Sequence, residues 1–145
     1  MVDNLSPEDR KKTMRAVKGK GTKLEKRLFS TLAGMRLKGW RKNVNNVPGK
    51  PDVVFDNERI AIFVDGCFWH GCPLCNRKLP ETNQAYWEAK INRNIELAKA
   101  HNQQLFSDGW VVIRIWEHEL KNKPAKEEIK AKIRQALKKE ASRNE

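Results

Sequence analysis

Apolar residues recur along this chain in two rhythms, one helical and one extended. Leu24, Leu28, Leu32 and Met35 fall three or four apart, which predicts one buried face of a helix starting near Thr22. Thr22-Lys23-Leu24-Glu25 reads as its capping box, with Glu25 satisfying a backbone N–H of the first turn. An earlier start, Ser6-Pro7-Glu8-Asp9, combines a cap, a first-turn proline and acids at the positive end of a helix dipole. It predicts a helix to about Lys18, ended by Gly19. The period then shortens. Asp52-Val53-Val54-Phe55 and Arg59-Ile60-Ala61-Ile62-Phe63-Val64-Asp65 flank the turn residues Asp56-Asn57-Glu58, so the pair reads as a hairpin. Its second strand is almost wholly apolar and should be central. A loop rich in Cys, Gly and Pro runs from Gly66 to about Thr82. Residues 83–106 return to helical spacing, with Trp87, Ile91, Ile95 and Ala98 on one stripe, until Asp108-Gly109. Trp110 to Trp116 forms a last strand, a charged helix follows Pro124, and a weaker strand lies around Trp40 to Asn46. The expected fold is α/β, a mixed central sheet flanked by helices, over one domain at 1–145 with a basic helical arm at 1–20 and a charged helix at 121–145.

Charge adds a partner to this outline. Thirty Lys and Arg against eighteen Asp and Glu give a formal charge of +12. That balance points to a polyanion, nucleic acid first and an anionic membrane surface second. Residues 1–42 carry 13 basic and 4 acidic side chains, whereas residues 43–75 carry 2 and 4. An acidic middle between basic flanks suits a carboxylate site reached by a phosphate backbone, and a merely solubilising charged surface gives the same totals. No run approaches the roughly 18 to 20 apolar residues of a membrane span. Met1 to Leu5 lacks the basic region and apolar stretch of a signal peptide, so a cytoplasmic address is expected.

Three groups of residues carry candidate chemistry. Asp52 opens one hairpin strand and Asp65 closes the other, so both carboxylates should meet at one rim, as a Mg²⁺ site asks. Two solvated turn acids are the rival reading. His70, just past Asp65, has the imidazole suited to proton transfer near neutral pH, though a lone histidine is often structural. Cys67-x4-Cys72-x2-Cys75 is a compact thiolate set of the kind that grips zinc. His118, just after the last strand, is the candidate fourth ligand, and His101 is its rival. Phe68 and Trp69 sit on the same loop, where they either pack or stack on bases, and Trp87 can join them from the following helix. In the basic arm, Arg15 and Lys18 are candidate DNA contacts.

The run Phe63-Val64-Asp65-Gly66-Cys67-Phe68-Trp69-His70-Gly71-Cys72-Pro73 resembles the very short patch repair endonucleases of the PD-(D/E)xK nuclease superfamily. Arg10 to Val17, Leu24 to Leu28, Pro48-Gly49-Lys50-Pro51-Asp52 and Trp110 to Glu117 look like four further motifs of that family, in order, so the resemblance spans about residues 8–120. It implies a restriction-endonuclease-like sheet, and a nick 5′ to the thymine of a T·G mismatch left by deamination of 5-methylcytosine. It makes Asp52 the principal Mg²⁺ ligand, with a backbone carbonyl around Val64. Asp65 and Glu25 remain candidate members of the catalytic group, with His70 as general base where the superfamily carries a lysine. Structural Zn²⁺ would be held by Cys67, Cys72, Cys75 and His118. Phe68, Trp69 and Trp87 would wedge into the duplex from one groove and Met14 from the other. The implied partner is mismatched double-stranded DNA, with a MutL-like repair protein as a further candidate, and the expected protein is a bacterial, nucleoid-associated monomer. Two departures stand out: Cys67 occupies the superfamily lysine position, and Ala98 stands where some relatives carry an acid. A related structure-specific or modification-dependent nuclease is the enzymatic alternative, and a zinc-stabilised DNA-binding module without catalysis is the other.

Overall fold

The computed structural model describes residues 23–75 and 78–143. The expected N-terminal helix, the Thr22 cap and the candidate contacts Met14, Arg15 and Lys18 lie outside the described residues. Helix α1 (Lys23–Gly34) leads to strand β1 (Trp40–Lys42), followed by β2 (Val53–Phe55) and β3 (Ile60–Asp65). Helix α2 (Gln84–Ser107) crosses over to β4 (Val111–Trp116), and a short α3 (Glu117–Lys121) precedes the long α4 (Lys123–Arg143). The four strands form one mixed sheet in the order β1-β2-β3-β4. β1 to β2 and β2 to β3 are antiparallel, and β3 to β4 is parallel. The expected hairpin and the central β3 are therefore present.

Both faces of the sheet are covered, which is why its strands read as continuous apolar runs. With a side-chain period of two, Val53, Phe55, Ile60, Ile62, Ile113 and Ile115 turn one way. They meet Leu28 and Leu32 of α1, Leu120 of α3, and Ile129 and Ile133 of α4. Val54, Ala61 and Phe63 turn the other way and meet Leu105 of α2 with Val44 and Val47 of the loop before β2. Deleting the buried part of one such side chain, as in Ile62→Ala, costs about 2–5 kcal/mol. Among the described residues, no helix is long and apolar enough to cross a membrane.

The boundaries differ from expectation in physically clear places. Arg59 is not in β3: its φ is +56°, and it closes a turn in which its N–H donates to the Asp56 carbonyl. Met35 lies past the end of α1 and packs against the core from the following turn. The weak strand shrinks to Trp40–Lys42, an edge held through Val53–Phe55. Helix α3 was not expected. It starts where β4 ends, and the Trp116 N–H donates to the Glu119 carboxylate at 2.8 Å, capping the new helix.

Candidate functional site

The parallel pairing of β3 with β4 brings two chain segments to one rim. Asp65 is in register with Trp116, so the residues two further on, Cys67 and His118, emerge side by side. The loop then folds back, with the Cys72 N–H donating to the Cys67 carbonyl at 2.9 Å. Cys67, Cys72, Cys75 and His118 converge with their donor atoms within 4.8 Å of one another. The His118 Nδ1 lies 3.4 Å from Cys67 Sγ, 3.7 Å from Cys72 Sγ and 3.4 Å from Cys75 Sγ. A tetrahedral zinc ion about 2.3 Å from sulfur and about 2.0 Å from nitrogen sets such atoms about 3.5 Å apart. The donor set and its dimensions fit that ion, and Nδ1 is the nitrogen that faces it. His101 drops out as the rival ligand, because it packs under Gly49 beside Phe63, where a Cβ on Gly49 would approach it to 3.1 Å.

The surroundings of these sulfurs are tuned unevenly. Burial pushes the Cys67 thiol up to about 12. Burial also raises Cys72, but the backbone N–H groups of Cys75 and Leu74 and the neighbouring sulfurs outweigh it and draw its pKa below the ordinary value. Glu117 fastens the loop from outside the metal position. Its Oε1 accepts the Cys67 N–H at 3.1 Å, and its Oε2 meets Lys121 Nζ at 3.0 Å. Such outer contacts orient metal ligands.

The acidic rim lies beside this centre. Asp52 precedes β2, and its N–H donates to the Ile62 carbonyl at 3.0 Å. Its Oδ2 accepts the Val64 N–H at 2.8 Å, one residue before Asp65. Both expected acids thus sit at the same end of the hairpin. Asp65 is buried, and its carboxylate receives Arg114 Nη1 at 3.0 and 3.3 Å. His70 Nε2 lies 3.8 Å from the same Asp65 Oδ1, and the His70 backbone is anchored by its N–H to the Gly66 carbonyl at 3.1 Å. Glu25 is 7% exposed in the first turn of α1, deeper than a surface cap would be.

Aromatic rings cover the outer side of the loop. Phe68, Trp69 and Trp87 contact one another at centroid distances of 5.2 to 5.9 Å, and Tyr86 adds an edge contact to Trp87 at 5.1 Å. Trp87 is buried, Phe68 and Trp69 are half-buried, and Tyr86 is exposed. Helix α2 holds this loop at two points. Asn94 Nδ2 donates to the Trp69 carbonyl at 2.9 Å. Gly71, at φ +62°, presses on the helix so closely that a Cβ would come within 3.0 Å of Ile95 and 3.2 Å of Ile91.

Four residues of this architecture escaped the sequence reading. Arg114 and Asn94 carried a signal: each is a polar residue on an otherwise apolar strand or stripe. Glu117 stood next to a candidate ligand without a pattern of its own. Tyr86 neighbours Trp87 but lies off its stripe.

Comparisons with known proteins bear on this arrangement. The sequence model of the family described as "DNA mismatch endonuclease Vsr" matches residues 2–77. "Type II nicking enzyme V.NmeDIP" of Neisseria meningitidis serogroup C is 41% identical, over 94% of this chain and 90% of the relative. "Type II nicking enzyme V.NaeI" of Lentzea aerocolonigenes is 43% identical, over 76% of this chain and 68% of the relative. "DNA mismatch endonuclease Vsr" of Escherichia coli (strain K12) is 37% identical, over 85% of this chain and 78% of the relative.

Proposed function

Because the chain belongs to the DNA mismatch endonuclease Vsr family, we propose that it nicks duplex DNA 5′ to the thymine of a T·G mismatch by Mg²⁺-dependent phosphodiester hydrolysis. The observation that carries this reading is the clustering of Asp52, Asp65 and His70 at one end of the β2–β3 hairpin, beside a rigid Cys₃His centre. On this reading the sheet is of the restriction-endonuclease kind, and the basic arm completes the DNA-binding surface.

Asp52 is the acid best disposed to hold the metal, together with the Val64 backbone that it already touches. A bound Mg²⁺ would polarise the scissile phosphate and stabilise the departing oxygen. Asp65 stands in a different position, since its carboxylate already receives Arg114 and faces His70. We therefore assign Asp65 to the histidine side of the site and leave Asp52 as the principal metal acid. His70 takes the proton of the attacking water, directly or through one further water. Glu25, buried near the start of α1, stays a candidate member of the catalytic group on this reading.

The zinc centre is structural on this reading: it locks the segment from Cys67 to Cys75 to the start of α3 and so holds His70 in place. On this reading the half-buried Phe68 and Trp69 of that locked loop enter the stack at a mismatch, with the buried Trp87 of α2 packed behind them. Unstacking costs a few kcal/mol per step, and less at a mismatched pair, so a wedge favours mismatched duplex. The test is to compare cleavage with binding in Asp52→Ala. Nicking of a T·G duplex in Mg²⁺ should vanish while DNA affinity stays within a few-fold of wild type. A folded, zinc-replete Asp52→Ala that nicked at the wild-type rate would remove this rim as the active site.

A further inference from the structure

Arg114 is the one charged residue in the run Val111–Trp116, and it is 19% exposed. Register places it directly opposite Phe63 on β3. Its guanidinium lies 4.1 Å from the Phe63 ring centroid, a cation–π contact that fixes the plane of the group. From there Nη1 reaches diagonally to Asp65 Oδ1 and Oδ2, at 3.0 and 3.3 Å. Nε donates to Asn102 Oδ1 at 2.7 Å, and Nη2 to the Ala98 carbonyl at 3.5 Å, both on α2. One side chain therefore ties three elements together at the base of the rim. A bare ion pair would be served by lysine, whereas this site uses the guanidinium's several donors and its flat face.

We infer that Arg114 is a positioning residue of the cleavage site, one that fixes the Asp65 carboxylate against α2 so that Asp65 in turn sets the pose of the His70 imidazole. This rests on the reading of His70 as the base. The geometry is directional. Asp65 is the last residue of β3, and the chain then enters the loop that carries His70, so without a clamp the carboxylate could rotate away from Nε2. Arg114 comes from the neighbouring parallel strand and is itself braced by Asn102, so its position does not depend on that loop. A misplacement of about 1 Å at a reacting group costs about 10²-fold in rate, which sets the size of effect to look for.

The experiment combines single-turnover nicking with NMR of the histidine rings in Arg114→Met, Arg114→Lys, Asp65→Asn and the double variant Arg114→Met/Asp65→Asn. The full chain is used with zinc content verified. Arg114→Met should lower the nicking rate about 10- to 100-fold, with DNA Kd within about threefold and zinc retained. Arg114→Lys should recover part of that rate, because a cation again faces Asp65. The double variant should be no slower than Asp65→Asn alone, since Arg114 acts through Asp65. The His70 ring resonances should move in Arg114→Met, while those of His101 and His118 stay in place. A neutral double variant also guards against misfolding, because it leaves no unpaired buried carboxylate. Wild-type nicking by Arg114→Met, or independent losses that multiply in the double variant, would overturn the inference. If the wild type nicks no duplex, the functional reading fails, and unmoved His70 resonances in Arg114→Met would separately overturn the positioning role.

Discussion

Asp52 and Asp65 are equally acidic in sequence but unequal in their surroundings, and the difference makes predictions. One Asp52 oxygen takes a backbone N–H, whereas the Asp65 carboxylate takes a guanidinium. Mn²⁺ binding, read by electron paramagnetic resonance as a probe for the Mg²⁺ position, should therefore be lost in Asp52→Asn and retained in Asp65→Asn. Loss in both would return Asp65 to the metal. His70→Ala should slow nicking by about 10² to 10⁴-fold, the usual worth of a general base. Trp69→Ala should reduce discrimination between mismatched and matched duplex more than it reduces overall affinity, because a wedge acts on stacking while Lys and Arg act on every phosphate alike. Equal loss on both duplexes would make Trp69 a packing residue. The thiols were legible from their spacing, whereas Asp52 and Asp65 were candidates from their places at the ends of a hairpin and His70 from its nearness to Asp65. Arg114 was not, because its meaning depends on which strand lies beside it. A charged residue in the run Trp110 to Trp116 marks an anomaly, but only parallel register with β3 delivers Asp65 as its partner.

Between β3 and α2, the zinc loop behaves as an element in its own right, though it has no regular structure. The Cys₃His cluster, the Glu117 carboxylate on the Cys67 N–H, and the docking of Trp69 and Gly71 on α2 all hold it. Gly71→Ala introduces both a disfavoured φ of +62° and a Cβ within 3.0 Å of Ile95. A cost of about 1–3 kcal/mol is expected from overpacking of this kind, read as a lower midpoint in thermal unfolding. No change in Tm would mean that the close approach of Gly71 to α2 contributes nothing to holding the loop. The buried Cys67 thiol, pushed up to about 12, keeps its proton at neutral pH when no metal is bound. Zinc must displace that proton, so apparent zinc affinity should rise with pH, by about tenfold per pH unit for each proton released. Titration with a competing chelator at several pH values measures that slope, and a flat profile would contradict thiolate ligation. The hairpin and the long α2 were readable from periodicity alone. Helix α3 was not: five residues are too few for a period to show, and its cap depends on Trp116 sitting at a strand end.

At the scale of the whole molecule, the chain carries basic flanks on either side of an acidic middle in sequence. DNA affinity should fall steeply with salt, and deleting residues 1–18, which include Arg10, Lys11, Lys12, Arg15 and Lys18, should flatten that dependence. The slope should become shallower by about 0.9 for each phosphate that the shortened protein no longer neutralises. An unchanged Kd and slope would leave the arm without a part in DNA binding. His118 as a partner for the thiols was already legible from its place after the last strand; what periodicity did not carry is the parallel register of β3 with β4 that sets Cys67 beside it. The most direct measurement of the central claim uses two duplexes that differ at one base pair, T·G in one and T·A in the other. Each strand is labelled separately and incubated with the zinc-replete protein, with and without Mg²⁺. The expected result is a single Mg²⁺-dependent nick immediately 5′ to the mismatched thymine, with little cleavage of the T·A duplex or of the strand carrying guanine. Equal cleavage of both duplexes would contradict mismatch recognition, and no Mg²⁺-dependent nick in either would contradict the assignment of this site to hydrolysis.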